Sequence, residues 1–167
     1  LPEDASKGYF LGAQLLKMLA PESTAMTAEV PVSLDIKDRA VEKGISARRV
    51  IMKQTGAALD IVRDNAPEKI VTLGGECSAK YPDDVAIVWL DAHPDVNLPY
   101  DEYKGYHAMA LTACLGMGDD EIMRMLPGKV AAQNALIVGL RSWDTGMKER
   151  QEKLGIKGLS PEKVAGD

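Results

Sequence analysis

The sequence predicts an α/β protein with a mostly parallel sheet between two layers of helices, a three-layer α/β/α fold. Three short runs rich in Val, Ile and Leu, at residues 69–73, 85–90 and 135–140, carry this prediction. Their apolar residues do not alternate with polar ones, which is typical of parallel strands covered by helices on both faces. Segments with helical periodicity lie before and between the runs, and this order favours the α/β class.

The helices are predicted from the spacing of apolar residues and from stop signals. A first helix is expected over residues 5–19, before Pro21, and a second from about Ser46, a candidate N-cap, to residues 65–67. Two more are expected at residues 108–116 and 119–126, and Ser160 opens another. A short strand is predicted at residues 29–34, where Pro31 suggests an edge position.

The connection between the first two sheet strands is too short for a parallel crossover. Only six residues separate Ser78 from Val85, whereas a crossover with its helix needs at least about 10 residues. Either the strands pair antiparallel or residues are missing. Because residues 79–84 read as the tail of a helix and a turn, we expect a chain break at Ser78–Ala79, within one domain that covers residues 1–167.

Composition limits the classes of function. A chain of 167 residues that is 46% hydrophobic can build a globular core. Its net charge of -5 argues against nucleic-acid or acidic-membrane partners and favours a small-molecule substrate. The widely spaced Cys77 and Cys114 indicate a reducing compartment. We find neither a bilayer-length apolar run nor a signal peptide, so a cytoplasmic location is expected.

The most informative motif is Asp91-Ala92-His93-Pro94-Asp95, at the end of the second strand. Extended backbone would point Asp91, His93 and Asp95 to one side, into the crevice beyond the strand's carboxyl end. Two carboxylates and an imidazole there would form a metal site for Mn, Fe or Zn. The alternative is an exposed strand end, or an Asp that caps a turn.

Two further segments carry candidate chemistry. Gly74-Gly75-Glu76-Cys77-Ser78 follows the first strand, so Cys77 is either a metal ligand or nucleophile, or an inert buried thiol. His107, in Gly105-Tyr106-His107, is either a proton shuttle near neutral pH or a packing residue. His93 and His107 are the two histidines of the chain.

The succession V-T-L-G-G-E-C-S, I-V-W-L-D-A-H-P-D and G-Y-H-A-M resembles the pattern G-G-D-H-S, D-A-H-x-D and G-N-x-H-G of the arginase/agmatinase/formiminoglutamase (ureohydrolase) family, over residues 45–140. The resemblance implies a hydrolase of guanidines or amidines with two Mn²⁺ per subunit and a bridging hydroxide as nucleophile. It implies that Asp91 bridges both metals while Asp95 and His93 each serve one, that His107 relays protons, and that the protein is a homo-oligomer.

Four departures from the family pattern matter. Cys77 replaces a histidine, which adds a soft ligand and makes Zn²⁺ or Fe²⁺ possible. Gly105 replaces an asparagine that would contact substrate, so arginine itself is not the expected substrate; Asn97 and Gly105 are the candidate substrate-binding positions. The later S-x-D-x-D-x-x-D-P segment and the family's first strand are absent. We therefore expect a chain truncated at both ends, with an incomplete metal site.

Two other functions stay open at this point. The chain is either a degenerate relative that keeps the fold for binding or assembly, or a thiol hydrolase with Cys77 as nucleophile and His107 or His93 as base.

Overall fold

The computed structural model describes residues 3–32, 39–67, 86–144 and 146–166, together with Ile70. It divides into two compact units, one within Leu1–Glu42 and Ser46–Cys77 and the other within Lys43–Ile45 and Ser78–Asp167. Three sequence predictions lie outside the described residues: the strand at residues 69–73 apart from Ile70, the Cys77 motif, and the chain break at Ser78–Ala79.

Two long helices dominate the first unit. Helix α1 (Glu3–Leu19) and helix α2 (Arg48–Asn65) confirm the two predicted helices. The predicted N-cap Ser46 is wrong, because the chain enters α2 through Ala47, whose φ of 54° is left-handed. At the other end Ala66 is also left-handed, and its N–H donates to the Val62 carbonyl at 2.9 Å, which ends the helix before Pro67.

The segment between these helices is less regular than predicted. Residues 29–32 form no strand, so the prediction of a strand there is wrong for its described part. Pro31 cannot donate to a ladder, and the segment is held instead by an ion pair of 2.8 Å between Glu29 and Lys17 of α1. Two two-residue strands precede α2, β1 (Val41–Glu42) and β2 (Ile45–Ser46), and left-handed residues lie between them.

The second unit contains the parallel sheet. Strands β3 (Ile87–Leu90), β4 (Ala135–Val138) and β5 (Lys157–Leu159) lie in that order and pair parallel, with Ile87 opposite Ala135 and Leu136 opposite Lys157. The predicted strands at residues 85–90 and 135–140 are confirmed in shorter form, and so is the parallel α/β class. Strand β5 was not predicted.

Helices connect these strands. A 3₁₀ turn at Tyr106–Met109 leads into α3 (Ala110–Cys114), and α4 (Asp120–Met125), α5 (Met147–Leu154) and α6 (Pro161–Ala165) follow. The helices expected at residues 108–116, at residues 119–126 and after Ser160 are confirmed. Helix α5 was missed, because its buried residues are only Met147 and Gln151 and its one other apolar residue is Leu154 at its end. Among the residues that the structure describes, no helix has both the length and the apolar character needed to cross a bilayer.

The core of the second unit lies on one side of β3 and around β4. Its large members come from β3, β4, α3 and α5 and from the segments that adjoin these elements and β5: Trp89, Val96, Leu111, Leu115, Ile137, Leu140, Met147 and Ile156. On the opposite face of β3, Val88 and Leu90 are 62% and 78% exposed. The expectation that the strands are buried on both faces is therefore wrong for β3 as described here.

Truncation of the central strand should weaken the second unit more than truncation at its surface. Ile137 is fully buried on β4, so Ile137→Ala removes apolar contacts and leaves a cavity; the expected loss in the free energy of unfolding is about 2–5 kcal/mol. Urea unfolding checks this, with Val164→Ala on α6, where the side chain is 53% exposed, as the control that should change it by about 0.5 kcal/mol or less.

Candidate active site

The hydrogen-bond ladder between β3 and β4 continues beyond both strands. The Asp91 N–H donates to the Val138 carbonyl at 3.1 Å, and the N–H groups of Arg141 and Ser142 both donate to the Ala92 carbonyl at 3.0 Å. Residues 91 and 92 are therefore fixed at the carboxyl edge of the parallel sheet. Ligand sites of open α/β sheets lie at this edge.

Asp91 and His93 form a close acidic and imidazole pair at this edge. The Asp91 Oδ1 accepts a hydrogen bond from the His93 backbone N–H at 2.8 Å and lies 3.5 Å from His93 Nδ1. The two side chains are 38% and 51% exposed, so both are accessible to a ligand. Asp91 thus also caps the turn after β3, which is the structural role that the sequence left open for it.

The backbone between Asp91 and Asp95 is not extended, which corrects the sequence analysis. Residues 91–93 form a bend, and Asp95 is left-handed with φ 47°. The side-chain alternation of a strand therefore does not apply here, because it requires extended backbone throughout. The bend itself, and not strand geometry, brings His93 beside Asp91.

The metal-ligand atoms among the described residues are of the types that bind manganese, but they are fewer than a manganese site needs. Carboxylate and imidazole are ligands that Mn²⁺ accepts, and Asp91 with His93 supplies one of each. Within residues 86–144 and the other described parts of the chain, no group of three or more His, Cys, Asp or Glu side chains is arranged to hold a metal. Cys77 lies outside those parts, and the full ligand set of Asp91, His93, Asp95 and Cys77 stays a prediction.

Backbone hydrogen bonds join the loop after β3 to the segment that carries His107. The Asn97 N–H donates to the Ala108 carbonyl at 2.8 Å, and the Leu111 N–H donates to the Asp95 carbonyl at 3.1 Å. Segment 95–97 therefore lies alongside segment 108–111, which His107 directly precedes. Asn97 is buried, and its contact with substrate stays a prediction.

A buried threonine reinforces this junction. Thr112 is fully buried, and its hydroxyl lies 2.6 Å from the Asn97 carbonyl and 2.9 Å from the Met109 carbonyl, so it bridges the loop and the 3₁₀ turn. Thr112 was not among the residues predicted from the sequence. A lone hydroxyl in the apolar run Ala-Leu-Thr-Ala-Cys was the available signal, since a buried hydroxyl needs a partner.

Arg150 of α5 holds the other end of the loop. Its guanidinium donates to the Val96 carbonyl at 3.0 Å and makes a two-pronged contact with the Asp101 carboxylate. Burial raises the pKa of the Asp101 carboxyl, but hydrogen bonds from Arg150 and from the Leu98 N–H outweigh it, so the pKa lies below its ordinary value. Sequence reasoning missed Arg150, because α5 carries no apolar stripe to mark its inner face.

Gly105 lies beneath two aromatic rings. The Tyr103 hydroxyl is 3.2 Å from His107 Nε2, and the two ring centroids are 5.3 Å apart with planes inclined at 70°. A Cβ added at Gly105 would lie 2.5 Å from Tyr103 Cε1 and 2.8 Å from His107 Cε1. The space that a side chain would need at position 105 is therefore filled by these rings.

A parallel α/β sheet with acidic and imidazole side chains at its carboxyl edge defines the class of fold and site. The arginase family model matches residues 24–166, which is most of the chain. The chain therefore belongs to the arginase family.

Individual relatives agree with this assignment. The chain is 28% identical to the arginase of Saccharomyces cerevisiae over an alignment that covers 89% of this chain and 48% of that protein. It is 35% identical to the arginase of Entamoeba histolytica, covering 49% of this chain and 29% of that protein. In both matches the chain spans less than half the length of the curated relative.

Solved arginase structures share the fold. The Entamoeba histolytica arginase in complex with L-ornithine superposes with a TM-score of 0.64 at 20% identity and covers 98% of this chain and 58% of that one. The Bacillus caldovelox arginase superposes with a TM-score of 0.59 at 19% identity, covering 81% and 50%. At these identities the likeness concerns the fold alone.

Removal of the Thr112 hydroxyl should loosen the junction between the two segments. Thr112→Val keeps the shape but takes the donor from the Asn97 carbonyl, so we expect a loss of about 1–3 kcal/mol in the free energy of unfolding and faster hydrogen exchange of the Asn97 amide. Thr112→Ser keeps the hydroxyl and should preserve the protection of that amide. Equal exchange rates in the two variants would argue against a role for the hydroxyl.

The Asp101–Arg150 contact should make stability depend on pH. Because the folded pKa of Asp101 is lowered, its carboxylate stabilises the fold above the unfolded pKa of about 3.9, and this contribution is lost as the pH falls through the folded pKa. Asp101→Asn should therefore have a lower free energy of unfolding than the unmodified chain at pH 7. The difference between the two proteins should be smaller at pH 3. Urea unfolding at both pH values measures this.

The matched control for that comparison is Asp144→Asn. Asp144 is exposed in the loop before α5, so its substitution makes the same change of charge without removing a partly buried contact. If Asp101→Asn lowers the free energy of unfolding as much at pH 3 as at pH 7, the Asp101 carboxylate does not make the pH-dependent contribution to stability assigned to it.

Proposed function

We propose that this protein is a metal-dependent C–N hydrolase of the ureohydrolase type that acts on linear guanidines or amidines. Family membership supports the reaction class. The observation that carries the proposal is the backbone junction of residues 95–97 with residues 108–111. It keeps the loop with the metal-type donors beside the segment of His107, so that one site can include ligands and a proton carrier.

Each residue has a role in this reaction. Asp91, His93 and Asp95, with Cys77, would hold two Mn²⁺ per subunit in the complete protein, and the Cys77 thiolate would also accept Zn²⁺ or Fe²⁺. The metals, when bound, would supply the positive charge that activates water for attack on the guanidinium or amidine carbon. His107 would carry a proton to the nitrogen that leaves when its bond to that carbon breaks.

Position 105 supports a substrate other than arginine. The curated relatives are named arginases, whereas this chain lacks the amide side chain that the family pattern has at Gly105. Its place is taken by the Tyr103 and His107 rings. Asn97 and Gly105 would then contact substrate mainly through the backbone and through the shape of the site.

The proposal also includes the type of substrate, the cellular location, the oligomeric state and the partners of the enzyme. It includes a small-molecule substrate, a cytoplasmic location and a homo-oligomeric assembly. It includes neither a nucleic-acid nor a membrane partner.

Metal binding and turnover test the proposal together. The protein, purified with Mn²⁺, should bind the metal and release urea or an amide fragment from a panel of arginine, agmatine, guanidinobutyrate and formiminoglutamate, with arginine not the best substrate. Asp91→Asn should weaken Mn²⁺ binding by at least about tenfold, since even residues that only support a ligand cost this much. Titration calorimetry measures the affinity, and Asp144→Asn is the control of equal charge change.

Three outcomes would count against the proposal. Mn²⁺ affinity that is the same in Asp91→Asn and Asp144→Asn would remove Asp91 from the site. Turnover without metal that is blocked by iodoacetamide would favour the thiol hydrolase. Absence of both metal binding and turnover would favour a degenerate relative with a binding or structural role.

A further inference from the structure

A side chain at Gly105 would collide with the aromatic pair above it in the observed positions of the two rings. The backbone there is ordinary, with φ -71° and ψ 126°, so the residue is not needed for an unusual conformation. What excludes a side chain is space, because the nearest atoms to an added Cβ all belong to the Tyr103 and His107 rings, at 2.5 to 2.9 Å.

Tyr103 contacts His107 in two ways at once. Its hydroxyl lies 3.2 Å from Nε2, within hydrogen-bond distance. Its ring meets the imidazole edge to face, with centroids 5.3 Å apart, which is a favoured arrangement of aromatic groups. One contact fixes a ring nitrogen and the other limits rotation of the ring, so together they define the orientation of the imidazole.

We propose that Tyr103 is a positioning residue for His107, and that Gly105 makes room for it. The inference rests on the proposed function, because it takes His107 as the residue that carries the proton. A hydrogen bond at one imidazole nitrogen selects which nitrogen holds the proton. In this chain the hydroxyl of Tyr103, in the loop before the 3₁₀ turn, performs that selection.

The positions of the two rings give a physical reason for a glycine at position 105, where the family pattern has an asparagine. An asparagine at position 105, as in the family pattern, cannot coexist with the observed ring positions, since its Cβ alone would overlap both rings. In this chain the glycine at position 105 and the ring of Tyr103 are thus sterically linked, and a restraint on His107 stands where the family pattern has an amide.

Spectroscopy tests the contact without reference to turnover. The chain has two histidines, and His93→Asn assigns their signals by elimination in long-range ¹H–¹⁵N spectra of the full chain, recorded without paramagnetic metal. Tyr103→Phe keeps the ring and deletes the hydroxyl, so it should change the tautomer ratio or the Nε2 shift of His107 and leave those of His93 in place. Identical His107 signals in both proteins would overturn the proposal.

Kinetics tests the consequence on the Mn²⁺-loaded protein. Tyr103→Phe should lower kcat by about two- to tenfold, the value of one hydrogen bond, with KM nearly unchanged, because the hydroxyl orients His107 and not the substrate. Tyr100→Phe removes a hydroxyl from the exposed loop residue nearby, whose side chain is 72% exposed, and should leave both constants as they are. An unchanged kcat in Tyr103→Phe would overturn the inference.

A double-mutant cycle of positions 103 and 105 tests whether Gly105 makes room for the Tyr103 ring. Gly105→Asn should lower kcat and displace the His107 signals in the native background, whereas in the Tyr103→Ser background, where only the contact with the His107 ring remains, the further loss should be smaller. Additive effects of the two changes would contradict the linkage, since residues in contact are expected to couple.

The two proposals can fail separately. If the native protein turns over no guanidine or amidine, the proposed function fails, while the histidine spectra still decide whether Tyr103 fixes His107. If the native protein is active and Tyr103→Phe matches it in both spectra and kcat, the proposed function stands and the positioning role of Tyr103 is rejected.

Discussion

The parallel pairing of β3 with β4 is the constraint on which the candidate site depends. Its ladder does not end with the strands, because the Asp91 N–H still donates to Val138 and the Ala92 carbonyl still accepts from Arg141 and Ser142. The first residues of the motif are therefore held as firmly as the sheet itself. The loop beyond them leaves the sheet only after that point, and Asp91 caps the bend with its own carboxylate.

From there the loop is held by contacts made from outside it. Thr112 and the backbone of residues 108–111 fix its middle, and Arg150 fixes Val96 and Asp101. These contacts are buried or partly buried, where an unpaired polar group is costly. The loop can thus present Asp91 and His93 to solvent without regular secondary structure of its own.

Strands β3 and β4 were predictable from the sequence because local patterns mark them, whereas β5 was not, and the ligand roles of the motif residues stay a prediction. Continuous apolar runs gave β3 and β4, and the spacing of Asp, His and Asp after β3 pointed to the sheet edge. The shape of the loop was not predictable in this way. The bend at residues 91–93 and the left-handed Asp95 depend on contacts with residues far along the chain, including Leu111 and Arg150. Helix α5 was missed because its apolar residues are only Met147 and Leu154 and part of its contribution is polar: Gln151 Oε1 accepts from Trp143 Nε1, and Gln151 Nε2 donates to the Ile156 carbonyl.

The left-handed backbone at Asp95 limits the residue types that can replace this aspartate. Aspartate is among the few residues with a side chain that adopt such a conformation readily, and it also carries the charge that the metal would require. Asparagine would satisfy the backbone without the charge, and glutamate would keep the charge in a residue less suited to the backbone. Under the proposed role of Asp95 as a metal ligand, no single replacement meets both demands, and a change at this position would give up one of them.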